Sequence, residues 1–277
     1  MSQAPYYLEN ARSGYRLWDG KLIDGMVHDG LWDVVNDYPM GFTAEIQSKK
    51  FNISREEQDQ FAYESNQRTM KTIREGKFKE EILPVSIPSK KGPPTFFETD
   101  EGPRDSDLSS LAKLKPAFKE DGVVTAGNSS KISDGASALV VMSHEKARSL
   151  GVIPMARVVA QAAAGVELED VLVSPIYSIP KVLKKGGLSL EDIDLFEINE
   201  AFSATTLAVI KTLGIDRDRV NVHGGAVALG HPIGASGARV LTTLLYALKD
   251  RDLKRGLASL CLGGGEAVSL IVERIDH

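Results

Sequence analysis

The stretch L-F-E-I-N-E-A-F-S-A-T-T-L-A-V-I-K-T-L, Leu195 to Leu213, decides the fold class. Leu195 to Ile198 is a short apolar run suited to a strand, and helical spacing follows from Glu200 to about Leu213. The same alternation recurs on both sides. Met155 to Gln161 reads as a strand, and Ser174 with Pro175 forms an N-cap and first-position pair for a helix that Gly186-Gly187 stops. Ser189 to Asp192 caps a short turn before Leu195. Val220 to Val222 reads as a strand and Ala235 to Leu248 as a helix; Leu257 to Leu262 and Ala267 to Glu273 read as strands joined by a triple-glycine turn. Strands and helices that alternate and end in a tight hairpin predict a layered α/β domain with a mixed sheet.

Toward the N-terminus the texture changes. From Met1 to about Pro116, Gly, Pro and charge interrupt most apolar runs. One helix stands out: Ser54 with Glu57 makes a capping box, Phe61, Ala62, Met70 and Ile73 can share a face, and Gly76 ends the pattern. S-K-K-G-P-P-T and D-E-G-P-R then mark loops. So long a region with so little regular structure predicts a binding or assembly excursion rather than a core layer. After the turn-rich T-A-G-N-S-S-K-I-S-D-G, Thr125 to Gly135, the apolar run Ala136 to Met142 predicts a buried strand.

Composition narrows the function classes. Among 277 residues, 33 Lys and Arg against 38 Asp and Glu leave a net charge of −5, which argues against a nucleic-acid partner needing many neutralised phosphates. The 42% hydrophobic and 26% charged fractions exclude a disordered chain. Cys261 is the single cysteine, so no intrachain disulfide forms, and a reducing, cytoplasmic location is expected. M-S-Q-A-P-Y-Y-L-E-N, Met1 to Asn10, has no charged leader or apolar segment of a targeting signal, and no apolar run approaches the roughly 20 residues that span a bilayer. A soluble protein without a membrane partner is expected. The histidines at 28, 144, 223, 231 and 277 have no H-E-x-x-H spacing and no cysteine pair beside them, so no metal site is expected.

Three strand-to-loop transitions can carry chemistry, because ligands of open α/β sheets collect at the carboxyl ends of strands. In F-E-I-N-E-A-F, Phe196 to Phe202, Asn199 reads as an N-cap and Glu200 as a complement to the helix dipole. H-G-G-A-V-A-L-G-H-P-I-G-A-S-G, His223 to Gly237, leads straight into a helix. It lacks the lysine of a phosphate loop, and its glycines do not fit G-x-G-x-x-G. His231, held between Gly230 and Pro232 near a helix N-terminus, is either a structural loop histidine or a neutral imidazole suited to general base work. In S-L-C-L-G-G-G-E-A, Ser259 to Ala267, Cys261 is either a small buried hydrophobe or a reacting thiol. The glycines behind it permit close substrate approach and offer backbone N–H groups for an oxyanion.

Together, N-E-A-F at Asn199, G-G-A-V-A-L-G-H-P-I-G-A-S-G at Gly224 and C-L-G-G-G at Cys261 resemble the thiolase family of acetyl-CoA C-acetyltransferases. The resemblance extends through K-L-K-P-A-F near Lys113 and T-A-G-N-S-S-K-I-S-D-G-A near Thr125, back to M-S-Q-A-P-Y at Met1. It implies a layered α/β sandwich of two related halves. Residues 1–132 would form the loop domain, 133–153 a remnant of the N-terminal half, and 154–277 the complete C-terminal half. The implied chemistry is Claisen condensation of two acetyl-CoA to acetoacetyl-CoA, or the reverse thiolysis, with coenzyme A thioesters as substrates and no further cofactor. By matched position, His231 would activate the nucleophile and share an oxyanion site with a water positioned by Asn199. Cys261 would move the α-proton, and the N–H of Gly263 would serve the other oxyanion. Leu31, Met40, Leu114, Phe118, Ala126, Ser130, Ala201 and Phe202 would line the coenzyme A site. A dimer or tetramer of like chains is the family's habit.

One departure matters. Thiolases use two cysteines, and the acyl-accepting one lies upstream of the segment that M-S-Q-A-P-Y matches. The expectation is a chain that is inactive alone: a truncated gene product, an expressed fragment, or one half of a split enzyme completed by an N-terminal polypeptide. A non-catalytic acyl-CoA-binding or scaffolding subunit is the alternative.

Overall fold

The computed structural model describes residues 1–275. The N-terminal region is built from short ladders around helices. Strand β1 (Tyr6–Leu8) pairs with β2 (Leu22–Asp24), and β3 (Trp32–Asp33) with β4 (Tyr38–Pro39). Helices α1 (Met40–Lys50) and α2 (Arg55–Arg74) follow, then the hairpin of β5 (Val85–Ile87) with β6 (Thr95–Phe97) and helix α3 (Leu108–Ala112). The expected capping box opens α2: Ser54 Oγ accepts from the Glu57 N–H at 3.2 Å, while Glu57 accepts from the Ser54 N–H at 2.8 Å. Gly76, at φ +71°, lies just past its end.

Helix α1 has no counterpart in the sequence expectations, for a physical reason. Its inner face is polar, burying Thr43, Glu45, Gln47 and Ser48 beside Ala44. Glu45 accepts from the backbone N–H groups of Val123 and Val124 at 2.9 and 2.8 Å, so α1 is tied to the following loop by hydrogen bonds rather than by an apolar stripe.

The predicted strand Ala136–Met142 does not form. This segment has no ladder partner among the described residues, and Val140 and Val141 are 85% and 80% exposed. β-propensity supplies the extended conformation, but a strand also needs a neighbour for its backbone groups. Helix α4 (His144–Leu150) follows, capped by Ser143.

Beyond it lies the mixed sheet that the alternation predicted. Strands β7 (Ala156–Gly165), β8 (Leu195–Ile198), β9 (Arg255–Leu262) and β10 (Glu266–Arg274) stand in the order β7-β10-β9-β8. Only the β8–β9 pairing is parallel. The expected strand Val220–Val222 contributes one parallel bridge, Phe196 to Val220, because Asn221 turns out of the extended region at φ +48°.

Helices α5 (Pro175–Gly186) and α6 (Ser203–Leu213) cover one face, where Phe196, Ile198, Leu257 and Ile271 pack with Ile179, Val182 and Leu207. After the short α7 (Ala226–Leu229), α8 (Ser236–Asp250) covers the other. There Leu195, Ala258 and Leu260 meet Val240, Leu244 and Leu248. Each such buried large side chain contributes about 1.5–3 kcal/mol. Alternation along β8 sends Glu197 to the α8 face, beside Arg239.

Helix α6 starts at Ser203, not at Glu200, and Phe202 rather than Asn199 occupies its N-cap. Residues 199–202 are drawn instead against the 128–130 loop. Ser130 N–H donates to Ala201 O at 3.0 Å and Ser203 N–H to Asn128 O at 2.9 Å. Hydrogen exchange checks the contrast between the two kinds of strand. Amides of Ala136–Met142 should exchange as in an unstructured peptide while those of β9 and β10 stay protected; equal protection would refute the unpaired segment.

Candidate active site

Gly224 and Gly225 of the His223–Gly237 loop are dictated by contact. A Cβ on Gly224, which sits at φ +83°, would lie 1.9 Å from Thr69 Oγ1 on α2. One on Gly225 would lie 2.3 Å from the Glu200 carboxyl carbon. Glu200 is wholly buried, and burial raises its pKa above the usual carboxylate range. Its oxygens accept from Asn221 Nδ2 at 2.9 Å, Ser65 Oγ at 2.7 Å and the Val227 N–H at 3.1 Å. It therefore faces the start of α7, not the dipole of α6. Lys131 closes the other end of α7, with its Nζ donating to Val227 O and Ala228 O at 2.9 and 3.0 Å. The Lys131 carbonyl receives the His231 N–H at 3.0 Å. The turn-rich 125–135 segment thus acts as a clamp on the histidine loop, a role with no signal in its composition.

His231 is held at both ring nitrogens. Nδ1 lies 2.6 Å from Ser236 Oγ, and that hydroxyl donates its one proton to Pro232 O at 3.0 Å. Ser236 can then only accept from the ring, which places the imidazole proton on Nδ1 and a lone pair on Nε2. Asn199 Nδ2 approaches Nε2 at 3.4 Å as donor. Burial lowers the His231 pKa to about 4, and the Arg239 guanidinium acts in the same direction. At pH 7 the ring is a neutral acceptor.

Cys261 stands near the end of β9, next to the strand end that carries Asn199: Ile198 is in register with Ser259, and the Asn199 N–H donates to Ser259 O at 3.0 Å. Its neighbours are apolar. Met40, Phe118, Val123, Phe202 and Cys261 pack around Ala44, Val171, Leu172 and Ala201. Four of the eight expected coenzyme A-site residues thus share one cluster with the cysteine. Phe118 and Phe202 meet edge to face at 6.1 Å, and Gly41 admits the Phe118 ring where a Cβ would come within 2.3 Å. Burial pushes the Cys261 thiol up to about 11.

The other expected residues lie around this cluster. Ser130 is hydrogen-bonded to Ala201, and Ala126 is exposed on the same loop. Leu114 packs against Gly127 and is 38% exposed. Leu31 ends a short helical turn, Val27–Leu31, in which Gly30 lies close to Ile233 of the histidine loop. Gly263 sits in the β9–β10 turn, exposed and open: no atom lies within 4 Å of where its Cβ would be. Among the described residues, no group of three His, Cys, Asp or Glu is placed to hold a metal ion. No described helix is long and apolar enough to cross a membrane.

Comparison with known proteins shows the family. The family description "Thiolase, N-terminal domain" matches residues 1–145, and "Thiolase, C-terminal domain" matches residues 152–274. This chain belongs to the thiolase family. An acetyl-CoA acetyltransferase of Pseudomonas aeruginosa is 52% identical over 275 residues, covering 99% of this chain and 70% of the relative. One of Cupriavidus necator is 50% identical with the same coverage. The crystal structure of the Bacillus anthracis acetyl-CoA acetyltransferase superimposes with a TM-score of 0.94 at 46% identity, covering 98% of this chain and 68% of that one. Human mitochondrial 3-ketoacyl-CoA thiolase gives 0.92 at 39% identity over 99% and 69%. The layered α/β fold is thiolase-like, and the chain spans about 70% of the length of these relatives.

Two measurements probe this thiolase site. Glu200→Gln turns an amide NH2 toward a donor that the carboxylate satisfied, so urea unfolding should show a loss of about 1–3 kcal/mol. An unchanged midpoint would remove Glu200 from the framework. Alkylation of Cys261 by iodoacetamide should be slow at pH 7 and rise about tenfold per pH unit past pH 9. A rate that levels off by about pH 9.5 would show an ordinary thiol.

Proposed function

We propose that this chain carries the proton-transfer and acyl-CoA-binding part of an acetyl-CoA C-acetyltransferase, acting as a cytoplasmic homo-oligomer in lipid metabolism. The observation that supports it best is the meeting of Asn199 and His231 beside a strand whose Cys261 is packed with Met40, Phe118, Ala201 and Phe202.

Protonation states set the roles. His231, neutral with its lone pair at Nε2, takes the proton of an attacking thiol; Nε2–H is then a donor to the oxyanion that forms on the thioester carbonyl. Cys261 rests as the thiol. In thiolysis of acetoacetyl-CoA, the nucleophile adds to the keto carbon, the C–C bond breaks, and the electron pair passes to the α-carbon of departing acetyl-CoA. Cys261 S–H supplies the proton to that carbon. Coenzyme A then removes the acetyl group from the nucleophile. Condensation is the reverse, with Cys261 as thiolate accepting the α-proton. The resting state of Cys261 is therefore the one that thiolysis uses.

The acyl-carrying thiol is a second cysteine, and the 277 residues contain one. The proposal assigns it to further polypeptide that packs on the unpaired Ala136–Met142 segment. Co-expression with the part of the Pseudomonas aeruginosa relative outside the match tests this. Acetoacetyl-CoA and coenzyme A should be turned over by the complemented protein, and Cys261→Ala or His231→Ala should lower kcat by on the order of 10²–10⁴. The chain alone should show no turnover above its own Cys261→Ala control, because loss of a nucleophile costs on the order of 10⁶. Turnover by the chain alone would overturn the two-part assignment. A complemented protein that binds acetyl-CoA without turnover would favour a scaffolding subunit.

A further inference from the structure

A hydroxyl that the sequence reads as a helix cap has another task. Ser174 occupies the N-cap position of α5, yet its side chain accepts no amide of that helix. It is wholly buried, with its Oγ 2.6 Å from Val171 O and 2.7 Å from Glu266 O. Val171 O already receives the Ser174 N–H at 3.2 Å, which leaves the single hydroxyl proton for Glu266 O. Glu266 opens β10 directly after the glycine turn, residues 263–265, that follows Cys261 and Leu262.

That turn needs a hold from outside. Gly264 and Gly265 stand at φ +89° and +85°, and no atom lies within 4 Å of where a Cβ on Gly263 or Gly264 would be, so side-chain packing fixes neither of those two. Glycine also loses more conformational freedom on ordering than any other residue. Two hydrogen bonds at the far end of the turn come from one connection, residues 166–174 between β7 and α5. The Val166 N–H donates to Gly265 O at 2.7 Å, and a Cβ on Gly265 would come within 2.5 Å of Val166 O. Ser174 adds the bond to Glu266 O. On its apolar side the same connection places Val171 and Leu172 in the cluster around Cys261. One turn along α5, Ser178 Oγ lies 2.7 Å from Ser269 Oγ, which lies 2.8 Å from Ser259 Oγ. A second hydroxyl thus ties the helix to the β9–β10 hairpin, away from the turn.

We infer that Ser174 is a positioning residue for this turn, its hydroxyl bond to Glu266 O holding the backbone that carries the Gly263 N–H two residues after Cys261. The inference rests on the thiolase reading, in which that N–H serves an oxyanion. A donor to a developing oxyanion works when it is fixed before the charge appears, and a glycine turn free to open would lose that placement. Ser174 acts through the turn alone. Loss of its hydroxyl therefore weakens the transition state more than substrate binding.

Two readouts test it: amide hydrogen exchange in the full chain and kinetics of the complemented protein. In Ser174→Ala the Val166 amide, which is bonded to the turn, should exchange about tenfold faster. Ser178→Ala removes a buried hydroxyl of the same helix, so it should lower the urea midpoint comparably yet leave Val166 exchange within about threefold of the unmodified chain. Ser174→Gly removes the same hydroxyl should the alanine variant fail to fold. In the complemented protein, Ser174→Ala should lower kcat by about ten- to a hundredfold with KM for acetoacetyl-CoA unchanged, and Ser178→Ala should keep kcat within about twofold. A Val166 amide unmoved by loss of the Ser174 hydroxyl, or moved equally by Ser178→Ala, would overturn the inference. Faster exchange without a fall in kcat would overturn it too. A complemented protein with no turnover would defeat the proposed function instead, and the exchange readout would still decide whether Ser174 holds the turn.

Discussion

The site depends on the carboxylate of Glu200. It is buried, and it ties Ser65 on α2, distant in sequence, to Asn221 and Val227 around the start of the histidine loop. A carboxylate can do this because two oxygens offer several acceptor directions, and three donors offset much of its desolvation. Gly225 is the corollary. Any side chain there would occupy the space of the carboxylate. With α7 fixed at its N-terminus by Glu200 and at its C-terminus by Lys131, His231 emerges at a defined place and angle.

On this frame the two groups proposed to react are both held uncharged, chiefly by burial. Burial pushes the Cys261 thiol up and the His231 imidazole down, so at neutral pH one rests as a proton donor and the other as a proton acceptor. An apolar wall of Met40, Phe118, Ala201 and Phe202 packs with Cys261 and supplies the low dielectric behind the rise of its thiol. Pre-setting protonation in this way leaves the charge to develop on the substrate, where fixed donors can meet it.

Much of the fold was legible in the sequence because it rests on local periodicity. Leu195–Ile198, the Ser54–Glu57 capping box and the hairpin after the triple glycine all stand where their spacing puts them. Features that rest on tertiary pairing were not legible. Helix α1 hides behind a polar inner face, Ala136–Met142 has strand composition but no neighbour, and Asn199 looked like an N-cap until the 128–130 loop claimed the backbone beside it. The site divides along the same line. Glycine-rich motifs marked His231 and Cys261, whereas Ser236 and Lys131 hold the histidine loop through contacts that no short pattern records. The serine in G-A-S-G was the one available signal, since a hydroxyl five residues after the histidine can reach back to the ring.

The central claim is that His231 is presented as a neutral base with its lone pair at Nε2, facing Asn199. The nitrogen-15 shifts of its two ring nitrogens at pH 7 test this most directly. The account predicts a protonated, pyrrole-like Nδ1 and an unprotonated, pyridine-like Nε2. The reverse tautomer, or two protonated nitrogens, would contradict it.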